Sequence, residues 1–233
     1  VENGEVFLDK EESRHAFSVL RAPADETLRV TDGKGRVYEC RTADRTEDGV
    51  RLRVVKSLTV EKTAPEARIC VGLCDKDEFG GLVRDLAALG ASAVVPLVCE
   101  HSQTPWWRNW DKHAPRFNNK MIAGIKQAQS AWLPKLSAPV PFSEALCAAE
   151  GCPVVAADEN GAPPPSLAGV VRGASFVSCF VGPPGGLSQK ERTALASGRA
   201  SFVSLSGNRL RTELAAVVLC AFVKSTALWE NGK

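Results

Sequence analysis

The chain has 233 residues, enough for one large or two modest domains, and its 44% hydrophobic and 24% charged residues are ordinary for a globular protein. No apolar run approaches the ~20 residues that a membrane-spanning helix needs, and the acidic, polar opening residues do not read as a secretory signal. The formal net charge of +2 is too small to argue for nucleic acid by itself, so only the local distribution of charge is informative.

Eight cysteines raise the question of metal or disulfide chemistry, but no CxxC occurs and several lie inside apolar runs, such as Ile69-Cys70-Val71 and Leu219-Cys220-Ala221. They read as free, buried thiols acting as small hydrophobes. That implies a reducing compartment, hence the cytoplasm. His15, His101 and His113 do not pair at ligand spacing, so no metal is expected.

In chain order, a helix is expected over 11–20, where Pro23 prevents its extension. Strands over 28–30 and 36–40 flank Thr31-Asp32-Gly33-Lys34-Gly35, a strong turn signal. After a second turn at Glu47-Asp48-Gly49, Arg51 and Arg53 alternate with Leu52 and Val54. That period of two predicts a strand over 50–60 with one basic and one buried face. Short strands with glycine turns suggest a small barrel over residues 1–65, ended by a linker at 62–65.

The rhythm then changes to α/β over 66–233. A continuous apolar strand is predicted over 67–73, followed by a helix capped by Asp75 or Asp77 and ended by Gly90, then a strand over 92–98. Such a unit implies parallel strands with a right-handed crossover. A helix over 111–132 follows, then an extended stretch containing Pro134, Pro139 and Pro141. Three more strands (153–157, 175–181, 201–205) precede an apolar helix over 211–229, and 160–165 reads as a polar loop.

Residues 106–135 hold Arg108, Lys112, Arg116, Lys120, Lys126 and Lys135 against Asp111 alone, together with Trp106, Trp107, Trp110 and Trp132. Cations interleaved with flat rings suit a phosphate backbone with unstacked bases. A solvated helix whose aromatics pack on the body would read the same way.

The two most informative segments lie near the end. In Gly182-Pro183-Pro184-Gly185-Gly186-Leu187-Ser188-Gln189-Lys190-Glu191, glycines allow close backbone approach to a ligand, and Ser188 with Glu191 forms a capping box that starts a helix. No GK[ST] follows, so this is not a nucleoside-triphosphate loop, and it is not GxGxxG. Asn208-Arg209-Leu210-Arg211-Thr212-Glu213 opens the last helix. Its arginines could cradle an anion and Glu213 could take a proton, but an acidic residue and a threonine also suit a helix start electrostatically. Both segments follow predicted strands, where α/β folds place ligands.

Together with the N-terminal pattern His15…Val19-Leu20-Arg21…Asp32-Gly33-Lys34-Gly35…Tyr38, these two blocks resemble the RsmE-type 16S ribosomal RNA uridine methyltransferases of the SPOUT superfamily, over nearly the whole chain. The resemblance implies a PUA-like β-barrel that helps bind RNA, then a trefoil-knotted α/β domain. It further implies a homodimer that binds S-adenosylmethionine and methylates uridine N3 in the small-subunit ribosomal RNA. Carried over by position, the cofactor would lie against Gly182, Pro183, Gly185, Gly186, Leu187, Leu205, Ser206, Gly207, Asn208, Leu210 and Thr212, with Ala157, Asp158 and Glu159 as a third wall. Arg211 and Glu213 would be catalytic. Arg21, Arg51, Arg53, Arg108, Lys112 and Arg116 are the expected RNA contacts.

The chain departs from the family pattern at Pro184, where the family has Glu, at Asp85 and Ala88, and at Lys126 and Ser130. A non-catalytic RNA-binding protein on the same fold, or a knotted methyltransferase for another RNA site, is the competing expectation.

Overall fold

The computed structural model describes residues 4–14, 27–103 and 105–230. The chain divides into two compact units between Glu61 and Lys62. Positions 15–26, including His15 and Arg21, lie outside the described residues, as does most of the helix expected over 11–20.

In the first unit, β1 (Glu5–Asp9), β2 (Leu28–Thr31), β3 (Arg36–Thr46) and β4 (Gly49–Thr59) form an antiparallel sheet in the order β1-β4-β3-β2, with α1 (Lys10–Arg14) after β1. The Asp32 carboxylate closes the predicted turn by accepting from the N–H groups of Lys34 and Arg36 at 2.7 and 3.1 Å. Tyr38, Cys40, Val50 and Leu52 make its small core. Along β4, Val50 and Leu52 are buried while Arg51 and Arg53 are exposed, as the period of two requires.

The second unit is a parallel sheet in the order β11-β9-β10-β5-β6-β7. It comprises β5 (Glu66–Gly72), β6 (Ala93–Val98), β7 (Lys135–Leu136), β9 (Val154–Ala162), β10 (Phe176–Val181) and β11 (Ser201–Val203), and β8 (Val140–Pro141) also pairs with β6. The central strands read as unbroken apolar runs because helices cover both faces. On one side α2 (Lys76–Ala88), α3 (Trp110–Gln127) and α7 (Thr212–Glu230) bury Phe79, Leu82, Leu86, Phe117, Met121 and Leu219 against Ile69 and Val71. On the other, α4 (Phe142–Cys147) and α6 (Gln189–Ser197) bury Phe142 and Leu195 against Cys70 and Phe180. No described helix is long and apolar enough to cross a membrane.

Several boundaries differ from expectation. The helix α3 stops at Gln127, short of 132, because Gln129 adopts φ 52° and the Ser130 N–H reaches back to Ile125 O at 2.9 Å, a left-handed helix stop. The last helix starts at Thr212 and β11 stops at Val203. Most consequential, β9 continues through Ala162, where a polar loop was expected. Phe202 pairs with Ala156 but Val203 pairs with Ala162, so residues 157–161 bulge out of the ladder.

Among the cysteines, Cys40, Cys70, Cys74, Cys99, Cys179 and Cys220 are buried, Cys152 is partly so and Cys147 is exposed, all as free thiols.

Candidate functional site

Parallel strands send all their C-terminal ends to one edge, and there the segments after β5, β10 and β11 meet the β9 bulge around a cavity of about 520 Å³. Its walls carry Ala157, Asp158 and Glu159 from the bulge, Gly182, Pro183, Gly186 and Leu187 from the glycine loop, and Leu205, Ser206, Asn208 and Leu210 from the segment after β11. Arg211, Thr212 and Glu213 line it too.

The glycine loop is held on three sides. Gly186 N–H donates to Pro183 O at 2.7 Å, making a tight turn across the two prolines. Gly72 ends β5 directly beneath it, where an added Cβ would sit 2.2 Å from Pro183 N, so only glycine permits the approach. The capping box is complete: Ser188 N–H donates to Glu191 Oε2 at 2.7 Å, and Glu191 N–H donates to Ser188 Oγ at 3.3 Å. The other Glu191 oxygen accepts from Glu100 N–H at 2.9 Å, which fastens the loop after β6 to the same helix start.

Two of the expected wall residues stand off the cavity. Gly185 faces His101, where an added Cβ would lie 2.9 Å from the His101 Cβ. The His101 Nδ1 lies 3.2 Å from both the Gly185 and Gly186 carbonyls, so it is the protonated ring nitrogen and donates to them. Gly207 is the outward tip of a turn in which Asn208 N–H donates to Ser206 Oγ at 3.1 Å.

The bulge wall has its own brace. Arg192 Nη1 donates to Asp158 Oδ2 at 2.6 Å, and Asp158 Oδ1 accepts from Asn160 N–H at 2.9 Å. The Asp158 side chain is only 8% exposed, which gives this pair more weight than a surface one. At the other end, Arg211 Nη1 lies 3.3 Å from Glu78 Oε1 and 4.0 Å from Glu213 Oε1. The Cys74 thiol joins those two carboxylates within a 4.8 Å cluster. Burial, then the charges of Glu213 and Glu78, push that thiol up to about 12, so it stays protonated. Around the whole cavity, the carboxylates of Glu78, Asp158, Glu159 and Glu213 face the guanidinium groups of Arg192, Arg209 and Arg211.

Glu78 and Arg192 were not anticipated from sequence, whereas Arg209 lines the cavity as one of the two arginines read there as able to cradle an anion. The rule that ligands gather at strand ends, applied to β5 as it was to β10 and β11, would have found Glu78. Arg192 carried no signal, because its partner lies in a bulge that periodicity does not reveal.

The basic segment divides in two. Trp106 and Trp110 pack with Phe79 and Phe117, with the Trp106 centroid 5.5 Å from both phenylalanine rings, and Trp106 Nε1–H donates to Cys74 O at 2.9 Å. Lys62 lies 5.0 Å over the Trp132 ring. Trp106 and Trp110 thus pack on the body of the fold, and the Trp132 face carries Lys62. Arg108, Lys112 and Arg116, four apart, are exposed, and Arg116 pairs with Asp77 at 3.0 Å. In the first unit, Arg51 lies 3.9 Å from Glu5 and Arg53 is exposed.

A model of the RNA methyltransferase domain matches residues 61–224. The chain belongs to the RNA methyltransferase family. A model of the RNA methyltransferase PUA domain matches residues 8–55, so this family member pairs a PUA-like antiparallel unit with the parallel α/β methyltransferase domain. Among curated proteins, the ribosomal RNA small subunit methyltransferase E of Mycobacterium bovis is 28% identical over 232 residues, 96% of this chain and 87% of that protein. Among solved structures, a ribosomal RNA small subunit methyltransferase E from Neisseria gonorrhoeae bound to S-adenosyl methionine shares the fold at 21% identity. Its TM-score is 0.79, over 95% of this chain and 91% of that one. A Legionella pneumophila methyltransferase in complex with SAM has a TM-score of 0.81 at 20% identity, over 95% and 91% of the two chains.

Proposed function

We propose that this family member is an S-adenosylmethionine-dependent enzyme that methylates N3 of a uridine in small-subunit ribosomal RNA. The observation that carries the proposal is the cavity itself, walled by two strand-end loops and a bulge, with Arg211 and Glu213 together at one end. About 520 Å³ falls within the ~300–1,000 Å³ usual for small-ligand sites. Leu187, Leu205 and Leu210 offer apolar contact for an adenine, and the carboxylates of Asp158, Glu159 and Glu213 suit a cationic ligand. The relatives from Neisseria and Legionella carry this cofactor, and the relative from Mycobacterium bears the matching name.

S-adenosylmethionine in this cavity would supply an electrophilic methyl group on sulfur. Uridine N3 carries a proton that must leave before it can attack, and the base's carbonyl oxygens then gain negative charge. Arg211 donates to those oxygens as that charge develops. Glu213, in the first turn of α7, accepts the N3 proton directly or through water. Backbone groups of residues 182–187 and 205–210 hold the cofactor in a trefoil-knotted arrangement of the two loops. Residues 1–65 form the RNA-holding domain and residues 66–233 the catalytic one. Arg21, Arg51, Arg53, Arg108, Lys112 and Arg116 meet phosphates, and two copies pair through α7, whose Leu214 is 49% exposed.

The decisive experiment maps ribosomal RNA modifications by mass spectrometry in cells with and without this gene. One N3-methylated uridine should vanish with the gene and return on complementation. Calorimetry with the purified protein should show cofactor binding, and no heat at millimolar cofactor would sink the enzymatic reading. Arg211→Ala should lower turnover far more than cofactor affinity.

A further inference from the structure

We propose that Glu78 is a positioning residue that holds the Arg211 guanidinium in place at the reacting end of the cavity, an inference that rests on the catalytic reading of Arg211 given above. The three arginines that line the cavity are in three different situations. Arg192 is locked to the nearly buried Asp158 at 2.6 Å. Arg209 is exposed and makes no ion pair among the described residues. Arg211 is 79% exposed along its side chain, yet carboxylates approach it from two separate elements, Glu78 on α2 and Glu213 on α7.

Only one of those carboxylates can define where the guanidinium stands relative to the rest of the site. Glu213 shares the start of α7 with Arg211 and moves with it. Glu78 belongs to a frame fixed independently. The Asp75 side chain caps α2 by accepting from Asp77 N–H at 2.8 Å, and Phe79 N–H donates to Asp75 O at 2.8 Å. The neighbouring Phe79 side chain is fully buried among Trp106, Trp110 and Phe117, and Trp106 ties down the Cys74 carbonyl. The backbone from Cys74 to Phe79 is therefore anchored at both ends, with Glu78 pointing from it to the cavity.

A guanidinium carries five N–H donors, so engaging Nη1 leaves others free for a base oxygen. An exposed pair of this kind adds little to global stability. Its effect is to restrict a long, mobile side chain before substrate arrives, which is where preorganised electrostatic catalysis is gained. Glu78 is thus expected to act through Arg211 and not on the substrate.

Glu78→Gln tests this, because it removes the charge and keeps the shape. In ¹⁵N-labelled protein without cofactor, the Arg211 side-chain resonances, assigned with Arg211→Lys, should shift and average in E78Q while the backbone amide spectrum stays intact. In turnover, E78Q should lower kcat about tenfold with the cofactor Kd within about twofold, and E78D should recover part of the loss. In an Arg211→Ala background, E78Q should change kcat by less than about twofold, since its route of action is gone. Unmoved Arg211 resonances would overturn the proposal, as would a loss that multiplies in the R211A background. A rise in kcat would do so too, showing that Glu78 only attenuates the arginine's charge. Wild-type protein that transfers no methyl would count against the enzymatic reading, whereas the resonance test decides the pairing without any turnover.

Discussion

Thr212 Oγ1 donates to the Gly182 carbonyl at 3.0 Å, joining the first residue of α7 to the residue that follows β10, thirty positions earlier. The threonine is buried and Gly182 partly so, and the bond holds the two cavity loops at one spacing. Thr212→Val should leave that carbonyl without its partner at a cost of ~1–3 kcal/mol. Thr212→Ser should keep the bond. The pair of variants separates packing from hydrogen bonding: calorimetry should find cofactor affinity about tenfold weaker in T212V and near normal in T212S.

Gly185 carries a different expectation from its neighbours in the loop. A side chain there meets His101 and not the cavity, so Gly185→Ala should strain the contact between the glycine loop and residues 99–102. The expected cost is ~1–3 kcal/mol, read as a melting temperature lower by several degrees, with cofactor affinity reduced less than stability implies. Complete loss of cofactor binding at unchanged stability would place Gly185 on the cavity wall after all.

The cation row on the outer face of residues 108–116 should be visible in the salt dependence of RNA binding. Replacing Arg108, Lys112 and Arg116 with glutamine should weaken binding, and each phosphate that is no longer neutralised should flatten the log–log salt slope by about 0.7–0.9. Arg116 is committed to Asp77 at 3.0 Å and should contribute least. An unchanged slope in the triple variant would assign the row to solvation alone.

The buried thiols set an alkaline limit on stability. Burial pushes Cys70, Cys74 and Cys220 up to about 12 from an ordinary value of 9.0. Between those values the folded chain keeps protons that the unfolded chain has lost. The stabilisation is therefore complete below pH 9 and is lost as pH rises towards 12. Urea midpoints should fall steadily from pH 9 to 11. Alkylation at pH 8 should label the exposed Cys147 first, with the buried cysteines reacting only after unfolding.

Much of the site was legible because its chemistry is carried by short contiguous blocks. Gly182 to Glu191 announced its helix start through Ser188 and Glu191, and that capping box is present with both bonds. The strand alternation at Val50 to Val54 was equally plain, since a half-buried sheet imposes a period of two. What escaped notice depends on contacts between distant segments. Asp158 was placed by position, but the 157–161 bulge that turns it towards Arg192 exists only because β11 resumes pairing at Ala162. Glu78 is an acidic residue in the first turn of α2, a common position, and only the fold brings Arg211 to it. For Trp106 and Trp110 the sequence left two readings open, because a ring suited to stacking on a base is equally suited to packing on Phe79 and Phe117.

The place of β10 between β5 and β9 has a consequence for how the chain is made. Both of its neighbours precede it in synthesis, so a nascent chain emerging from the ribosome holds β5 with one edge unpaired until Phe176–Val181 has been translated. An apolar strand waiting in that state is open to wrong partners. β10 leads directly into the glycine loop, and so the event that joins β5 to β9 also delivers one wall of the cavity.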